Sequence, residues 1–402
     1  MQNKKEKYKS VVPKKSILII LLAFWFVNCA STIRRISPET SQSSLSFSVV
    51  GDIMVHNTQL DAAYDKKCKC YDFEPVFKEI SPYLSRADFT IGNLETTLPN
   101  NPKLYAGYPA FGTPDSLTSA LKKAGFDILT TSNNHSCDTG KVGLEHTIEA
   151  LDKQGLGHLG TYKNKKEYEK NRIYTIEKNG IRIALFAYTY GTNGIRVPGN
   201  FVVNLIDKEQ IKKDILLARS QSFDMIFVYY HFGTEYLRLP DKFQKEMVEL
   251  ALEEGADVVL GGHPHVLQPF GLQTRKDKKG RHRQTLHIYS LGNFVSAQHR
   301  RFTDGGIIFN FSISKKLIDY GEKKEVSYSI HSVGYEPVWV YRNWIKGKRN
   351  YYVLPVNKYR EEKGELKLAL SDTKKMELFY KDTQGHFKKH SILEEPLVAG
   401  GD

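Results

Sequence analysis

The sequence predicts an α/β fold, a sandwich of mixed β-sheets flanked by helices with a small β-rich C-terminal extension. Three observations lead there. Short apolar, β-branched runs alternate with amphipathic stretches through most of the chain; three of those stretches run into a glycine; and beyond Gly306 the texture changes to strands with little helical periodicity.

In chain order, strands are expected at 46–51, 88–92, 127–131, 181–188, 224–230, 257–261 and 285–290. Helices are expected at 114–124, 140–154, 208–219 and 241–254. Gly125, Gly155 and Gly255 follow three of these helices, where a left-handed cap suits a residue without a Cβ. Further strands are read at 307–314, 325–335 and 351–356, with helical periodicity returning at 361–380. The main domain is therefore placed at 46–310, and 311–402 supplies closing strands and a C-terminal extension.

The chain has 402 residues, 40% hydrophobic and 12% aromatic, enough for a large core rather than a minimal domain. Its first residues look like an export signal. Lys4, Lys5, Lys7, Lys9, Lys14 and Lys15 precede an apolar run at 17–27, which is shorter than the roughly 20 residues of a membrane-spanning helix. Cys29 follows directly, and Phe26-Val27-Asn28-Cys29-Ala30-Ser31 resembles a bacterial lipoprotein cleavage site. That resemblance implies a signal peptide at 1–28, lipidation of Cys29, and a Ser/Thr-rich tether at 29–45 from the membrane of the cell envelope. An uncleaved signal anchor is the alternative.

The formal charge of +13 contains six lysines and one glutamate from residues 1–28, so +8 remains without them (13 − 6 + 1). Basic runs such as Arg275-Lys276-Asp277-Lys278-Lys279 and Arg300-Arg301 read as solvated loops. No stripe of Arg and Lys is interleaved with stacking aromatics, which argues against nucleic acid. The charge is compatible with an anionic polymer or phosphoester. Cys68, Cys70 and Cys137 allow one disulfide and one free thiol in an exported chain.

Polar clusters fall where the predicted strands end. They are Gly51-Asp52, Gly92-Asn93-Leu94-Glu95, the run from Ser132 through Asn133, Asn134, His135 and Asp138 to Gly140, His231-Phe232-Gly233-Thr234-Glu235, Gly261-Gly262-His263-Pro264-His265, and Ser290-Leu291-Gly292-Asn293-Phe294. Carboxyl ends of strands in an open α/β sheet face the ligand crevice, so separate loops bring Asp, Asn, Glu and His to one edge. Imidazole and carboxylate ligands suit Mn, Zn or Fe, and a pair of such ions clamps a phosphoryl group and activates water.

The ordered set resembles the calcineurin-like metallophosphoesterases, in particular their 5′-nucleotidase branch. It is more similar still to the bacterial capsule synthesis family CapA, also called PGA_cap, over roughly 46–310. The motifs carrying this are Gly51-Asp52-Ile53-Met54, Asn93-Leu94-Glu95, Asn133-Asn134-His135 with Asp138 and Gly140, His231-x-Gly233-x-Glu235, Gly262-His263-Pro264-His265 with Gln268, and Ser290-Leu291-Gly292-Asn293-Phe294. The resemblance implies a metallophosphoesterase-like sandwich holding one or two divalent metal ions. It assigns Asp52, Glu95, Asn134, His231, His263 and His265 as metal ligands and His135 as the residue facing the substrate. Asp138 either orients His135 or caps the helix at 140–154. The phosphoesterase pattern Asp-x-His is broken at Met54, and Asn93 stands where that superfamily has Asp. Two functions remain open: a metal-dependent hydrolase of the envelope, acting on a phosphoester or a capsule polymer such as poly-γ-glutamate, or a non-catalytic capsule-assembly or export component.

Overall fold

The structure is a computed structural model, and it describes residues 38–277, 280, 282–345 and 347–394. Cys29, the apolar run at 17–27 and most of the expected tether lie outside the described residues. No helix among the described residues is long and apolar enough to cross a membrane. The first strand, Glu39–Ile53, begins inside the stretch expected as tether.

Among the described residues the chain divides into a small unit (38–41 and 317–326) and a main unit (42–316 and 327–394). In the small unit Lys324 pairs with Asp319 at 2.9 Å, and Tyr320 N donates to Lys323 O at 2.8 Å across a hairpin turn.

Two large sheets form the frame. One has the order Lys348–Pro355, Lys324–Ile345, Gly305–Asp319, Glu39–Ile53, Phe89–Leu94, Ile128–Thr130, Gly157–Leu159, with Asn293–Val295 also pairing Glu39–Ile53. The other runs Ile392–Leu393, Leu267–Lys276, His282–Leu291, Val258–Gly262, Met225–His231, Ile181–Thr189, Tyr174–Lys178. Each has a parallel centre: Glu39–Ile53, Phe89–Leu94, Ile128–Thr130 and Gly157–Leu159 in the first, and Ile181–Thr189, Met225–His231, Val258–Gly262 and His282–Leu291 in the second. Antiparallel hairpins lie toward the edges. This is the expected mixed sandwich.

Strand alternation explains the layers. Phe47, Val49 and Ile91 of the first sheet share a buried cluster with Leu185, Phe227, Leu260 and Ile288 of the second. Phe47 closes that interface, its ring 5.2 Å from Phe227 and 5.3 Å from Phe311. The opposite face of the first sheet, with Val50 and Leu129, packs on Leu117 and Leu121 of helix Ser116–Ala124 and Leu151 of helix Gly140–Gln154. The outer face of the second receives Ile211 and Ile215 of helix Lys208–Ser220 and Met247 and Ala251 of helix Lys242–Glu254. Gly125, Gly155 and Gly255 do end three helices, at φ of 104°, 63° and 121°.

Two expectations shift. Helical periodicity at 361–380 marks a helix that runs Leu370–His390. Of the basic runs expected as solvated loops, the first begins in a strand, with Arg275 and Lys276 ending Leu267–Lys276 and Arg275 paired with Glu249 at 2.5 Å, while Arg300 and Arg301 lie exposed in a turn, Arg301 bidentate on Asp382 of that helix at 2.9 and 2.8 Å. Among the strands not expected are Gly157–Leu159, Tyr174–Lys178 and Leu267–Lys276, the last pairing antiparallel with His282–Leu291. Cys68 and Cys70 are disulfide-bonded and Cys137 is free and buried.

His287, opposite Gly271 in that hairpin, is buried with Nδ1 unpartnered. Burial and the charge of Arg275 push its pKa down to about 4. An imidazole depressed below its unfolded value of about 6.5 contributes stability that is present above that value and lost as pH falls toward 4. Between pH 7 and 4.5 this one group should remove about 2–3 kcal/mol. Urea unfolding at the two pH values measures it, and His287→Phe, which takes up no proton, should flatten the profile by that amount; parallel profiles would refute the assignment.

Candidate metal centre

The strand ends meet where the two sheets converge. Asp52 ends a first-sheet strand, beside Asn93 and Asn293 in register. His263 and His265 follow the second-sheet strand Val258–Gly262, and His231 ends its neighbour opposite Gly262. The link between sheets is direct: Asp52 Oδ2 accepts from His263 N and lies at hydrogen-bond distance from His265 Nδ1, both at 3.2 Å.

Close approach at this junction needs glycine. A Cβ on Gly262 would stand 2.2 Å from the Tyr229 hydroxyl and 2.7 Å from Asp52 Oδ1. His263 and His265 themselves have φ of 96° and 57°. Non-glycine residues rarely hold such angles, and where they do the strain is retained by surrounding structure, commonly at a functional site.

All six expected ligands are brought together. Glu95 Oε1 lies 3.5 Å from His231 Nε2 and 3.9 Å from both His265 Nε2 and His135 Nε2. Asn134 Oδ1 is 2.8 Å from His231 Nε2. Donor atoms of Glu95, His231 and His263, and of Asp52, Glu95 and His265, fall within 4.8 Å of one another. Glu95 is fully buried with neither carboxylate oxygen hydrogen-bonded, and His263 Nδ1 is likewise without a partner. Buried polar atoms are almost always satisfied, so these orphaned donors fit a bound cation.

The electrostatics agree. Burial, then the charge of Asp52, pushes the Glu95 carboxyl up to about 8, the signature of a carboxylate that lacks its counter-charge. Burial takes His231 down to about 3, and burial with the neighbouring imidazoles takes His263 well below the usual range. Both are neutral, as metal ligation requires. Burial alone would raise Asp52 and lower His265, but their mutual hydrogen bond and the charge of Glu95 on His265 prevail, leaving Asp52 at about 2 and His265 up at about 9.

His135 sits at the edge of the cluster, its Nε2 3.9 Å from Glu95 Oε1. Its Nδ1 is 2.7 Å from Asp138 Oδ2, which also accepts from Phe111 N at 2.6 Å. The Phe111 ring stands perpendicular to the imidazole, their centroids 4.6 Å apart. Asp138 does not cap the following helix; Thr139 occupies that position without a side-chain cap. Burial would lower His135, yet the Asp138 hydrogen bond and the Glu95 charge raise its pKa.

Met54 contributes no imidazole, and His56 does not replace it, because His56 Nε2 is 3.1 Å from Ser296 Oγ. Asn93 gives no carboxylate either; its amide donates to Asp52 Oδ1 at 2.8 Å, and Glu95 reaches the centre instead. Sequence reasoning left three neighbours without a role. Glu235 brings a carboxylate within 4.8 Å of His263 and His265 donors. Asn293 Oδ1 is 3.1 Å from His265 Nδ1. Tyr190 places its ring 4.6 Å from that of His263. Glu235 and Asn293 stood inside quoted strand-end motifs, which was their signal; Tyr190 had none.

The bacterial capsule synthesis protein PGA_cap profile matches residues 46–298. The chain is 29% identical over 309 residues to a capsule biosynthesis protein CapA of Bacillus anthracis, covering 74% of this chain and 70% of the relative. It is 26% identical over 318 residues to the PGA biosynthesis protein CapA of Bacillus subtilis strain 168, covering 78% and 79%. Among solved structures, the Haemophilus influenzae NAD nucleotidase is similar with a TM-score of 0.47 at 13% identity, over 88% of this chain and 64% of that one.

Proposed function

The chain belongs to the bacterial capsule synthesis protein PGA_cap family, and from that membership we propose that it serves capsule-type polymer production in the cell envelope as a metal-dependent hydrolase. The bond attacked would be a phosphoester or a bond of the polymer, and a lipid on Cys29 would hold the protein at the membrane. One observation carries the chemistry: Glu95, fully buried, keeps both oxygens unpartnered among three histidines and Asp52.

Asp52, Glu95, Asn134, His231, His263 and His265 would hold the metal, with one or two divalent ions (Mn, Zn or Fe) accommodated. Bound there, the metal would supply Lewis-acid polarisation and water activation. The chain's own residues do the rest. Asn293 and Asp52 fix the ring of His265 through Nδ1, as outer hydrogen bonds orient ligating imidazoles. Asp138 holds His135 by Nδ1, leaving Nε2 directed toward the centre, 3.9 Å from Glu95. His135 then donates its Nε2 proton to the leaving oxygen, or stabilises charge developing there.

Elemental analysis of the purified protein tests the reading first. At least one ion per chain is expected, and turnover of a generic phosphodiester or a γ-glutamyl polymer should disappear on chelation and return with Mn or Zn. A metal-free protein that acquires none on dialysis would refute it.

A non-catalytic assembly role is favoured by one observation: Met54 removes an imidazole from the usual set, and His56 is engaged with Ser296 instead. Stoichiometric metal without any turnover would point to that reading.

A further inference from the structure

We infer that Asp382 is a positioning residue of the metal centre: from the C-terminal helix it clasps the two loops that fix the His263-Pro264-His265 turn; this rests on the metal-binding reading above.

Helix Leu370–His390 is itself firmly seated. Phe379 and Phe387 are buried in the core between the sheets, the Phe387 ring 5.2 Å from that of Phe270. Gly305 is what lets Phe379 approach, since a Cβ there would stand 2.8 Å from its ring. Asp382, one turn after Phe379, therefore presents its carboxylate and its carbonyl from a fixed support.

One arm of the clasp runs through the loop after Val295. Arg301 grips Asp382 with Nε on Oδ2 at 2.9 Å and a terminal nitrogen on Oδ1 at 2.8 Å, a paired geometry that fixes orientation as well as distance. Phe302 follows at a φ of 77°, costly for a bulky side chain, and two guanidinium groups cover its ring, Arg238 at 4.1 Å and Arg301 at 4.9 Å. Thr303 O then accepts from Asn293 Nδ2 at 2.9 Å, and Asn293 Oδ1 is 3.1 Å from His265 Nδ1.

The other arm runs through the loop after His231. Arg238 donates to Asp382 O at 3.1 Å. On either side of it Leu237 O and Leu239 O accept from Gln268 Nε2 at 2.8 and 3.3 Å, and Tyr236 N donates to Pro264 O at 2.8 Å. Both arms end on the same turn, and they meet at Phe302. That turn needs holding: His263 and His265 stand at φ of 96° and 57°, and strained backbone persists only where its surroundings over-determine it. Arg238 grips the Asp382 backbone, so a side-chain substitution at Asp382 releases the first arm, the one that reaches the His265 ring, and spares the second.

Mn titration of the intact chain, followed by electron paramagnetic resonance, tests this. Asp382→Ala should weaken Mn binding about tenfold, as loss of a partner behind a metal ligand does. Arg301→Gln should do the same, the double variant should lose little more than either, and Asp382→Glu should recover part of the affinity. Glu377→Ala removes a like ion pair from the same helix, with Arg360 at 2.8 Å, and should leave Mn binding unchanged. A second readout needs no metal: with nitrogen-15-labelled histidine, the His265 ring Nδ1 signal should move in Asp382→Ala and stay in place in Glu377→Ala. A wild type that binds no Mn would reject the metal reading, and the His265 signal would still decide the clasp. An unmoved His265 signal in Asp382→Ala, Mn affinity unchanged by that substitution, or an equal loss in Glu377→Ala overturns the positioning role.

Discussion

Glu95→Gln should strip the centre of metal and at the same time make the metal-free protein more stable. The two effects have one cause. The Glu95 carboxylate is fully buried, has no hydrogen-bond donor on either oxygen, and lies in the field of Asp52. Without a cation it is a buried charge whose desolvation the nearby His265 and His135 offset only in part, and the group responds by binding a proton up to about pH 8. The amide keeps the shape and carries no charge, so the metal-free variant should gain on the order of 1–3 kcal/mol at pH 8 and above. With metal present the order reverses, because a ligand that binds only the folded state stabilises by mass action. The wild type should therefore show a metal-dependent rise in melting temperature that the variant lacks. Elemental analysis and melting curves with and without Mn read both halves. A metal-free variant clearly less stable than wild type would show that Glu95 serves packing rather than a cation.

His135→Ala should lower kcat by roughly 10²–10⁴-fold while metal content stays at the wild-type level. The separation is expected because His135 lies at the edge of the donor set, its Nε2 3.9 Å from Glu95, and is tied through Nδ1 to Asp138. Asp138→Asn should give a smaller loss in kcat with KM unchanged, since the amide oxygen still accepts from the ring and from Phe111 N but carries no charge to favour the imidazolium. Equal turnover by wild type and His135→Ala would remove His135 from the chemistry. A parallel loss of metal would make it a ligand instead.

Most of the fold was legible because its signals are local. Seven strands and four helices in the main domain were read from runs of β-branched residues, from 3.6-residue periodicity, and from the glycines after three helices. The donors were legible for the same reason: a polar cluster at the end of a predicted parallel strand has one edge to point to. Strand Leu267–Lys276 escaped because its first residues follow the His-x-His turn without a break, and its pairing is made by a hairpin partner rather than by its own pattern. Helix Leu370–His390 was displaced by about ten residues because periodic charge continues upstream of it, where only packing decides which stretch is helical.

The sequence alone determined which donors this protein has and at which strand ends they sit, since both follow from residue identity and short-range pattern. It also left Asp138 between two roles, and it treated Arg300 and Arg301 alike. Only the tertiary structure separated these, turning Asp138 onto His135 and Phe111 and committing Arg301 to Asp382. It also isolated Glu95 from every hydrogen-bond donor. The reason is range: Asp52 and His265 are 213 residues apart, and no local period encodes a contact made when two sheets pack face to face.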